Sequence, residues 1–262
     1  MRVVGIDSET EEELGLYRTL RGNLFEKDGS FVADSARVVD MLLDSGLEFK
    51  SLLCDREYLD SRREKIESAG VPVVYIGDKK SLESIVGYRI HHGVMAHLLR
   101  PPNVPLEDMP DRIVLADGLS NMENIGAIAR SAAALGVGGY IVPSRGPHPY
   151  GRRAIRVSTG HVTKLSVHVC DDTLQCVSEL SRMGYEIVVA EAVEDAVGLG
   201  ELRSIGDRWV LIVGNEEDGV SERMLERCDR IVKIEMQPGV KSFNAAIAAS
   251  IVMWRLSTLG SV

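Results

Sequence analysis

A segment of small residues near the C-terminus restricts the possible folds of this chain more than any other feature. Ala245–Trp254 reads AAIAASIVMW. A helix of this composition is apolar on nearly every side, so we expect it to be buried with other backbone packed closely against it. The short apolar strand Ile231–Ile234 and a Pro-Gly turn precede it, and Ser242 or Asn244 can cap its first turn. This arrangement favours a ligand held by main-chain groups, although an ordinary C-terminal core helix would show the same pattern.

Apolar runs alternate with amphipathic segments along the rest of the chain and predict an α/β fold. Strands are expected at Phe31–Ala33, Phe49–Leu53, Val73–Ile76, Ile113–Ala116, Tyr140–Val142, Glu186–Ala190 and Val210–Val213. Helices are expected at residues 11–25, after Asp34 or Ser35, at Arg56–Ala69, Lys79–Val86, about Asn124–Leu135, Thr173–Arg182 and Ser221–Arg227. Repeated βα units imply a mostly parallel sheet with helices on both faces.

A proline-containing segment divides the chain. Residues 100–105 read RPPNVP and lack any hydrophobic period. Such a segment is typical of a stiff linker. We therefore predict a small α/β domain over residues 1–98, a linker over 99–111 and a larger parallel-sheet domain over 112–262.

Composition indicates a soluble globular chain of 262 residues with a net charge of −9. It shows no signal-peptide pattern at its start, and its longest apolar run is shorter than the ~20 residues needed to span a bilayer. We expect a cytoplasmic protein without membrane association. The four cysteines, which show no paired C-x-x-C spacing, predict reduced thiols and no metal site. They are Cys54, Cys170, Cys176 and Cys228.

The acidic net charge argues against a nucleic-acid partner, but the charge is unevenly distributed. Ser144–Lys164 contains no acidic residue. It carries Arg145, Arg152, Arg153 and Arg156. A solvated basic surface would explain this segment, but its place after a strand end favours contact with phosphates.

Two further segments carry side chains suited to chemistry. In Asp117–Gly136, Asn124 follows a polar loop and can cap the next helix, while Arg130 projects from that helix. In Val210–Gly219, a fully apolar strand ends at Gly214, and Glu216 follows at its carboxyl end. Taken singly, these residues suit a helix cap, a surface charge and an acidic loop.

Together, and in this order, the three segments resemble the three motifs of the SpoU/TrmH family of RNA 2′-O-ribose methyltransferases, within the SPOUT class. Asn124–Arg130, with Gly136 behind it, resembles N-x-G-A-I-x-R, and Gly214–Gly219 resembles G-x-E-x-x-G. The third motif resembles I-P-M followed by S-L-N and an Ala-rich helix, with Glu235 in place of proline and Phe243 in place of leucine.

The resemblance implies a SPOUT domain with a deep trefoil knot, S-adenosylmethionine as cofactor, a homodimer, and an N-terminal α/β domain that binds RNA. It implies transfer of a methyl group to a ribose 2′-hydroxyl of rRNA or tRNA. The implied catalytic residues are Arg130, Asn124, Glu216, Ser242 and Asn244. The implied cofactor-binding residues are Gly214, Ile234, Met236 and Phe243. The basic segment then predicts RNA contacts at Arg145, Arg152, Arg153 and Arg156.

Three alternatives remain from the sequence. A methyltransferase for a small molecule is one, and the extra N-terminal domain and the basic segment favour RNA over it. A non-catalytic RNA-binding or ribosome-assembly protein with the same fold would not require the polar motif residues. This chain retains them, which counts against that alternative. A doubly wound enzyme for another nucleotide is disfavoured, because the chain has neither G-x-G-x-x-G at a helix start nor G-x-x-x-x-G-K-[ST]. The RNA and the nucleotide that are modified cannot be read from these residues.

Overall fold

The computed structural model describes residues 1–6, 14–18, 29–87 and 93–259. Its strands are β1 (Arg2–Gly5), β2 (Ser30–Asp34), β3 (Phe49–Cys54), β4 (Val73–Ile76), β5 (Val94–Leu99), β6 (Arg112–Ala116), β7 (Gly139–Pro143), β8 (Ser166–Cys170), β9 (Glu186–Ala190), β10 (Val197–Gly198), β11 (Trp209–Val213) and β12 (Arg230–Lys233). Its helices are α1 (Gly15–Arg18), α2 (Ala36–Leu43), α3 (Arg56–Ser68), α4 (Lys79–Val86), α5 (Met122–Leu135), α6 (Arg152–Val157), α7 (Thr173–Arg182), α8 (Glu222–Leu225) and α9 (Ala245–Thr258), with 3₁₀ turns at Leu106–Asp108 and His161–Lys164.

The chain packs as two compact units. Unit 1 comprises the described residues of Met1–Pro102 and Tyr150–Thr163, and unit 2 those of Asn103–Pro149 and Lys164–Val262. Unit 1 therefore includes Tyr150–Thr163, residues that belong to the larger domain in the predicted division. The separate roles of the predicted domains stay a prediction.

Unit 1 is built on a sheet with the described strand order β1-β4-β3-β5-β2. Strands β1, β3 and β4 run parallel, and β5 is antiparallel to both β3 and β2. Polar side chains fix the helix starts, because Asp55 and Asp78 accept main-chain hydrogen bonds in the first turns of α3 and α4.

Helix α6 packs on β2 at the edge of the unit 1 sheet. The rings of Phe31 and Tyr150 meet edge to face, with centroids 5.3 Å apart. The Arg152 guanidinium pairs with Asp34, with Nε 3.1 Å from Oδ2. An apolar contact and a partly buried ion pair therefore attach residues 150–163 to this sheet.

Unit 2 contains a sheet of order β10-β12-β9-β11-β6-β7-β8 in which every neighbouring pair is parallel. One face packs on α7 through a core that includes Leu115, Ile187 and Leu180. Side chains that point to the opposite face of the sheet, such as Val114 and Leu211, are also fully buried, so both faces of the sheet are covered. The predicted α/β fold with a parallel sheet is confirmed.

The central strands and helices begin and end within a few residues of their predicted positions. β9, α7, β4 and α4 have the predicted bounds. Strands β1, β5, β8 and β10, and helix α6, were not predicted. The helix predicted over residues 11–25 falls partly outside the described residues, which show helix only at Gly15–Arg18.

The prediction that α9 is buried on every side is wrong for a single chain. Ala246, Ala249 and Val252 are buried, but Ile247 and Trp254 are 52% and 56% exposed. These two residues lie seven positions apart and so share one helical face. No helix in the described part of the chain is both long and apolar enough to cross a membrane.

Candidate active site

The three motifs meet in unit 2 because β6, β11 and β12 are parallel strands of one sheet. Their carboxyl ends lie at the same edge, where ligands bind in open α/β sheets. Strands β6 and β11 are direct neighbours, and Asp117 N donates to Val213 O at 2.8 Å just beyond them. The loop after each strand therefore contributes to one site.

Glu216 is the centre of a hydrogen-bond network that joins the first two motifs. Its Oε2 accepts from the Ser120 amide and hydroxyl at 3.1 and 3.2 Å. Its Oε1 accepts from Asn124 Nδ2 at 2.7 Å and from the Asn121 amide at 3.3 Å. Partial burial alone would raise the pKa of Glu216, but hydrogen bonds from Ser120, Asn124 and Asn121 lower it overall. The carboxylate is thus ionised at neutral pH and held by four donors.

Asn124 extends this network to the third motif. Its Oδ1 accepts from Asn244 Nδ2 at 2.9 Å, while Asn244 Oδ1 accepts from the Ala246 and Ile247 amides at the start of α9. The expectation that Asn124 caps its own helix is wrong. Asn121 is the cap, since its Oδ1 accepts from Glu123 N at 2.7 Å, and Asn124 is buried one turn later. Asn244, one of the two candidate caps, does cap α9.

The turn after β11 explains the glycine at its start. A β-carbon on Gly214 would lie 2.5 Å from the Gly219 carbonyl carbon and 2.6 Å from Val220 Cγ2. Asn215 braces the same turn, because its Nδ2 donates to Gly118 O at 2.7 Å and its Oδ1 accepts from the Glu217 amide. Gly214 is therefore required by the protein's own backbone, apart from any ligand.

A cavity of about 450 Å³ opens between the second and third motif loops. All four residues predicted to bind the cofactor line it, namely Gly214, Ile234, Met236 and Phe243. Three predicted catalytic residues, Glu216, Ser242 and Asn244, also line it. The structure thus brings these seven together, and Asn124 joins them through its two hydrogen bonds.

Arg130 lies apart from this group. It is exposed on α5 and does not line the cavity. Its guanidinium forms no hydrogen bond or ion pair with another described residue. The neighbouring Ser131 hydroxyl contacts Ser250 of α9 at 2.7 Å, which fixes α5 against α9. A single chain therefore holds Arg130 on a fixed helix but not at the cavity.

The four basic residues predicted to contact RNA have different surroundings. Arg152 is paired with Asp34, and their side chains are 27% and 11% exposed. Arg153 and Arg156 are exposed on the same helix in unit 1. Arg145 is also exposed but belongs to unit 2. The charge of Arg152 is thus already matched by a carboxylate of the same chain.

Sequence reasoning missed Ser120, Asn121 and Glu191. The first two bind Glu216, and Glu191 lines the cavity directly after β9. Its place beyond an apolar parallel strand is the signal that could have identified it. The described residues contain no group of three or more candidate metal ligands, and the expected absence of a metal stays a prediction.

The profile of the SpoU rRNA Methylase family matches residues 111–254, the region that carries all three motifs. The chain belongs to this family, and the predicted SpoU/TrmH membership is confirmed.

Solved structures share the fold over nearly the full chain. An AdoMet-bound rRNA methyltransferase from Sinorhizobium meliloti superposes with a TM-score of 0.83 at 22% identity, covering 97% of both chains. The SpoU methyltransferase AviRb from Streptomyces viridochromogenes, solved with AdoMet, has a TM-score of 0.75 at 25% identity, covering 92% of this chain and 97% of its own.

The matches to sequence relatives cover a smaller share of those proteins than the matches to solved structures do. An uncharacterised tRNA/rRNA methyltransferase from Mycolicibacterium paratuberculosis is 26% identical over 209 residues, which is 77% of this chain and 67% of that protein. A match to a TrmH-family relative from Staphylococcus haemolyticus covers only 57% of that protein. The chain thus spans about two thirds or less of these two relatives.

Proposed function

We propose that this chain is an S-adenosylmethionine-dependent RNA methyltransferase that acts as a homodimer on a ribose 2′-hydroxyl of rRNA or tRNA. The observation that carries the proposal is the hydrogen-bond chain from Glu216 through Asn124 to Asn244 beside the cavity. A protein that kept the fold only to bind RNA would not need three motifs locked together around a cavity.

The cavity suits the proposed cofactor in size and charge. Its volume falls within the range of about 300–1,000 Å³ that is usual for small-molecule sites. Glu191, Glu216 and Glu217 line it together with a single lysine, Lys233, so the net charge of the lining favours a cationic ligand such as a sulfonium. The two AdoMet-bound relatives with this fold support the same cofactor.

When bound, this cofactor would supply an electrophilic methyl group to the ribose oxygen and would leave as the neutral thioether, while the hydroxyl proton would pass to solvent water. The chain's own part is to hold the hydroxyl in line and to stabilise charge on its oxygen. Glu216 accepts four hydrogen bonds and is ionised, so we assign it to positioning Ser120 and Asn124, with Ser242 and Asn244 beside the substrate.

Arg130 stays protonated in proteins, which favours a role in binding an RNA phosphate and stabilising the developing oxyanion. Because it does not line the cavity of its own chain, we place it beside the cofactor held by a second copy. The exposed apolar face of α9, with Ile247 and Trp254, supports burial in such a homodimer.

Unit 1 and the exposed arginines would bind the RNA. Arg153 and Arg156 on α6 and Arg145 in unit 2 are solvent-accessible cations in an otherwise acidic chain. Arg152 contributes less, since Asp34 already neutralises it. A cytoplasmic location and the choice between rRNA and tRNA belong to this proposal.

The trefoil knot is also proposed for unit 2. The support is the strand order β12-β9-β11, which requires the chain to leave β11 and pass β9 before it pairs as β12. Stretching the unfolded chain from both ends would test this, because a tightened knot shortens the measured contour length.

The deciding experiment is calorimetric titration with S-adenosylmethionine, followed by transfer of labelled methyl to RNA and identification of the nucleoside formed. Ala248→Trp should abolish binding, because Ala248 lines the cavity. Gly214 is unsuitable for this block, since any side chain there meets backbone. Ser178→Trp, outside the cavity on α7, is the matched control.

Binding that only Ala248→Trp abolishes, together with 2′-O-methylated nucleosides, would support the proposal. A methylated base instead would leave the cofactor assignment intact and overturn the ribose specificity. RNA binding without cofactor binding, even with RNA present, would favour the non-catalytic RNA-binding protein.

A further inference from the structure

Glu191 is a carboxylate at the cavity whose orientation is fixed by main-chain contacts. It follows β9, and its Oε2 accepts from Val220 N at 2.9 Å while Oε1 accepts from Ala192 N at 3.1 Å. A carboxylate offers about four acceptor positions, so about two remain after these bonds. The side chain lines the same cavity as Phe243 and Ala248.

The backbone opposite makes room for this carboxylate. Gly219 has φ +69°, and a β-carbon there would lie 2.5 Å from Glu191 Oε2. The residue after it, Val220, donates to the same oxygen. Glu191 thus joins the end of β9 to the second-motif turn, and neither partner can move without breaking these contacts.

The other carboxylates at the cavity are bound differently. Both oxygens of Glu216 already accept two hydrogen bonds each, all from the first motif. Glu217 is exposed, and its carboxylate bonds to none of the described residues. Glu191 therefore combines a fixed position with unused acceptor capacity.

We propose that Glu191 binds the ribose of S-adenosylmethionine by accepting hydrogen bonds from its 2′- and 3′-hydroxyls, an inference that rests on the proposed function. Two vicinal hydroxyls match the two oxygens of a carboxylate held in one plane. An acidic side chain beyond a parallel strand is a recurrent way to bind nucleotide ribose. The cofactor's ammonium group is a point charge without this two-oxygen geometry, and the exposed Glu217 suits it better.

Calorimetry with S-adenosylhomocysteine and its 2′-deoxy and 3′-deoxy analogues tests the assignment. Hydrogen bonds to a charged group predict a loss of about 10-fold or more for each analogue on the unchanged protein. Glu191→Gln should weaken S-adenosylhomocysteine similarly but reduce the further loss for the analogues to about threefold or less. Glu194→Gln, an exposed neighbour, is the control and should behave like the unchanged protein.

The outcomes separate the two proposals. Equal analogue losses in Glu191→Gln and the unchanged protein would overturn the ribose contact alone, as would weakening of all three ligands by one common factor. No binding of S-adenosylhomocysteine to the unchanged protein would overturn the proposed function itself. A crystal structure of the unchanged protein with S-adenosylhomocysteine gives a readout that does not depend on the variant folding. Both hydroxyl oxygens should lie about 2.5–3.2 Å from the carboxylate, and a ribose that faces away contradicts the assignment.

Discussion

Asn124 Nδ2 lies 2.7 Å from Glu216 Oε1, and this bond connects the first helix of the site to the turn after β11. The Asn124 amide is a neutral donor, and the Glu216 carboxylate is an ionised acceptor. Replacing the amide with a carboxylate should therefore disturb the hydrogen bonds of the whole site.

Asn124→Asp should reduce methyl transfer by about 10-fold or more, because it places a second carboxylate against Glu216. Repulsion raises the pKa of such a pair, so the folded state of the variant gains stability as the pH falls. Its deficit in unfolding temperature should be largest at pH 7 and shrink towards pH 4. Asn124→Ala, which removes the donor without adding charge, should recover less, because it removes only one of the hydrogen bonds that lower the pKa of Glu216. Equal behaviour of the two variants would contradict the prediction.

Glu216 itself should make stability depend on pH in the opposite sense. Its pKa is lower in the folded chain than the ordinary value, so its contribution is present above about pH 4.5 and is lost as the pH falls through the folded pKa. The unfolding free energies of the unchanged protein and Glu216→Gln should therefore differ at pH 7, and the difference should shrink as the pH falls through the folded pKa of Glu216. A difference that is constant from pH 7 to pH 3, measured in urea, would be inconsistent with this.

Gly219→Ala should destabilise the chain more than Gly136→Ala. Both residues have φ near +70°, which costs a non-glycine residue about 1–2 kcal/mol. Only Gly219 also has a side chain, Glu191, in the space of a β-carbon, since nothing lies within 4 Å at Gly136. The additional loss of stability in Gly219→Ala should disappear when this substitution is made in a Glu191→Ala background. Equal costs for the two single variants in chemical denaturation would disprove the contact.

Arg152→Met should lower the unfolding free energy by about 1.5–3 kcal/mol, because it leaves Asp34 unpaired at 11% exposure. Arg156→Met, at an exposed site on the same helix, should cost about 0.5 kcal/mol or less. For RNA binding, the two substitutions should rank in the opposite order. Arg156→Met should lower the slope of log K against log salt by about 0.7–0.9, and Arg152→Met should change it less. A larger salt effect for Arg152 would assign it to RNA instead.

Trp254→Glu and Ile247→Glu should give monomers that keep the fold but lose methyl transfer. Each places a charge on the exposed apolar face of α9. Val3→Glu, at an apolar residue of β1 with 41% exposure, serves as the control and should stay dimeric. Sedimentation velocity measures the outcome, and a charged variant that remains dimeric and active would remove α9 from the interface.

The sequence predicted the buried parts of this fold better than its edges. Val210–Val213 is continuously apolar, and β11 includes it with one added residue. β8, which reads SVHVC, and the two-residue β10 lie at sheet edges, where partial exposure weakens the hydrophobic pattern. The basic composition of residues 144–164 obscured α6, because Ala154 and Ile155 are its only buried side chains.

The site residues were predictable as a set, but their connections were not. The resemblance supplied Glu216 and Asn124 without showing that Ser120 and Asn121 would share the same carboxylate. That arrangement depends on the pairing of β6 with β11, strands separated by almost one hundred residues. Likewise, no pattern within α9 shows that Ile247 faces outward while Ala246 faces the core.

The packing of α6 on β2 determines when unit 1 can finish folding during synthesis. Domains usually fold in order as the chain emerges. Here β2 forms the edge of its sheet, but Tyr150 and Arg152, which contact it, are made more than one hundred residues later. A ribosome that stalled between residues 103 and 149 would carry a nascent first unit whose edge strand lacks its contact with α6, and uncovered edge strands are sites of aggregation. Unit 1 can therefore complete its packing only after α6, which belongs to the second half of the chain, has been synthesised.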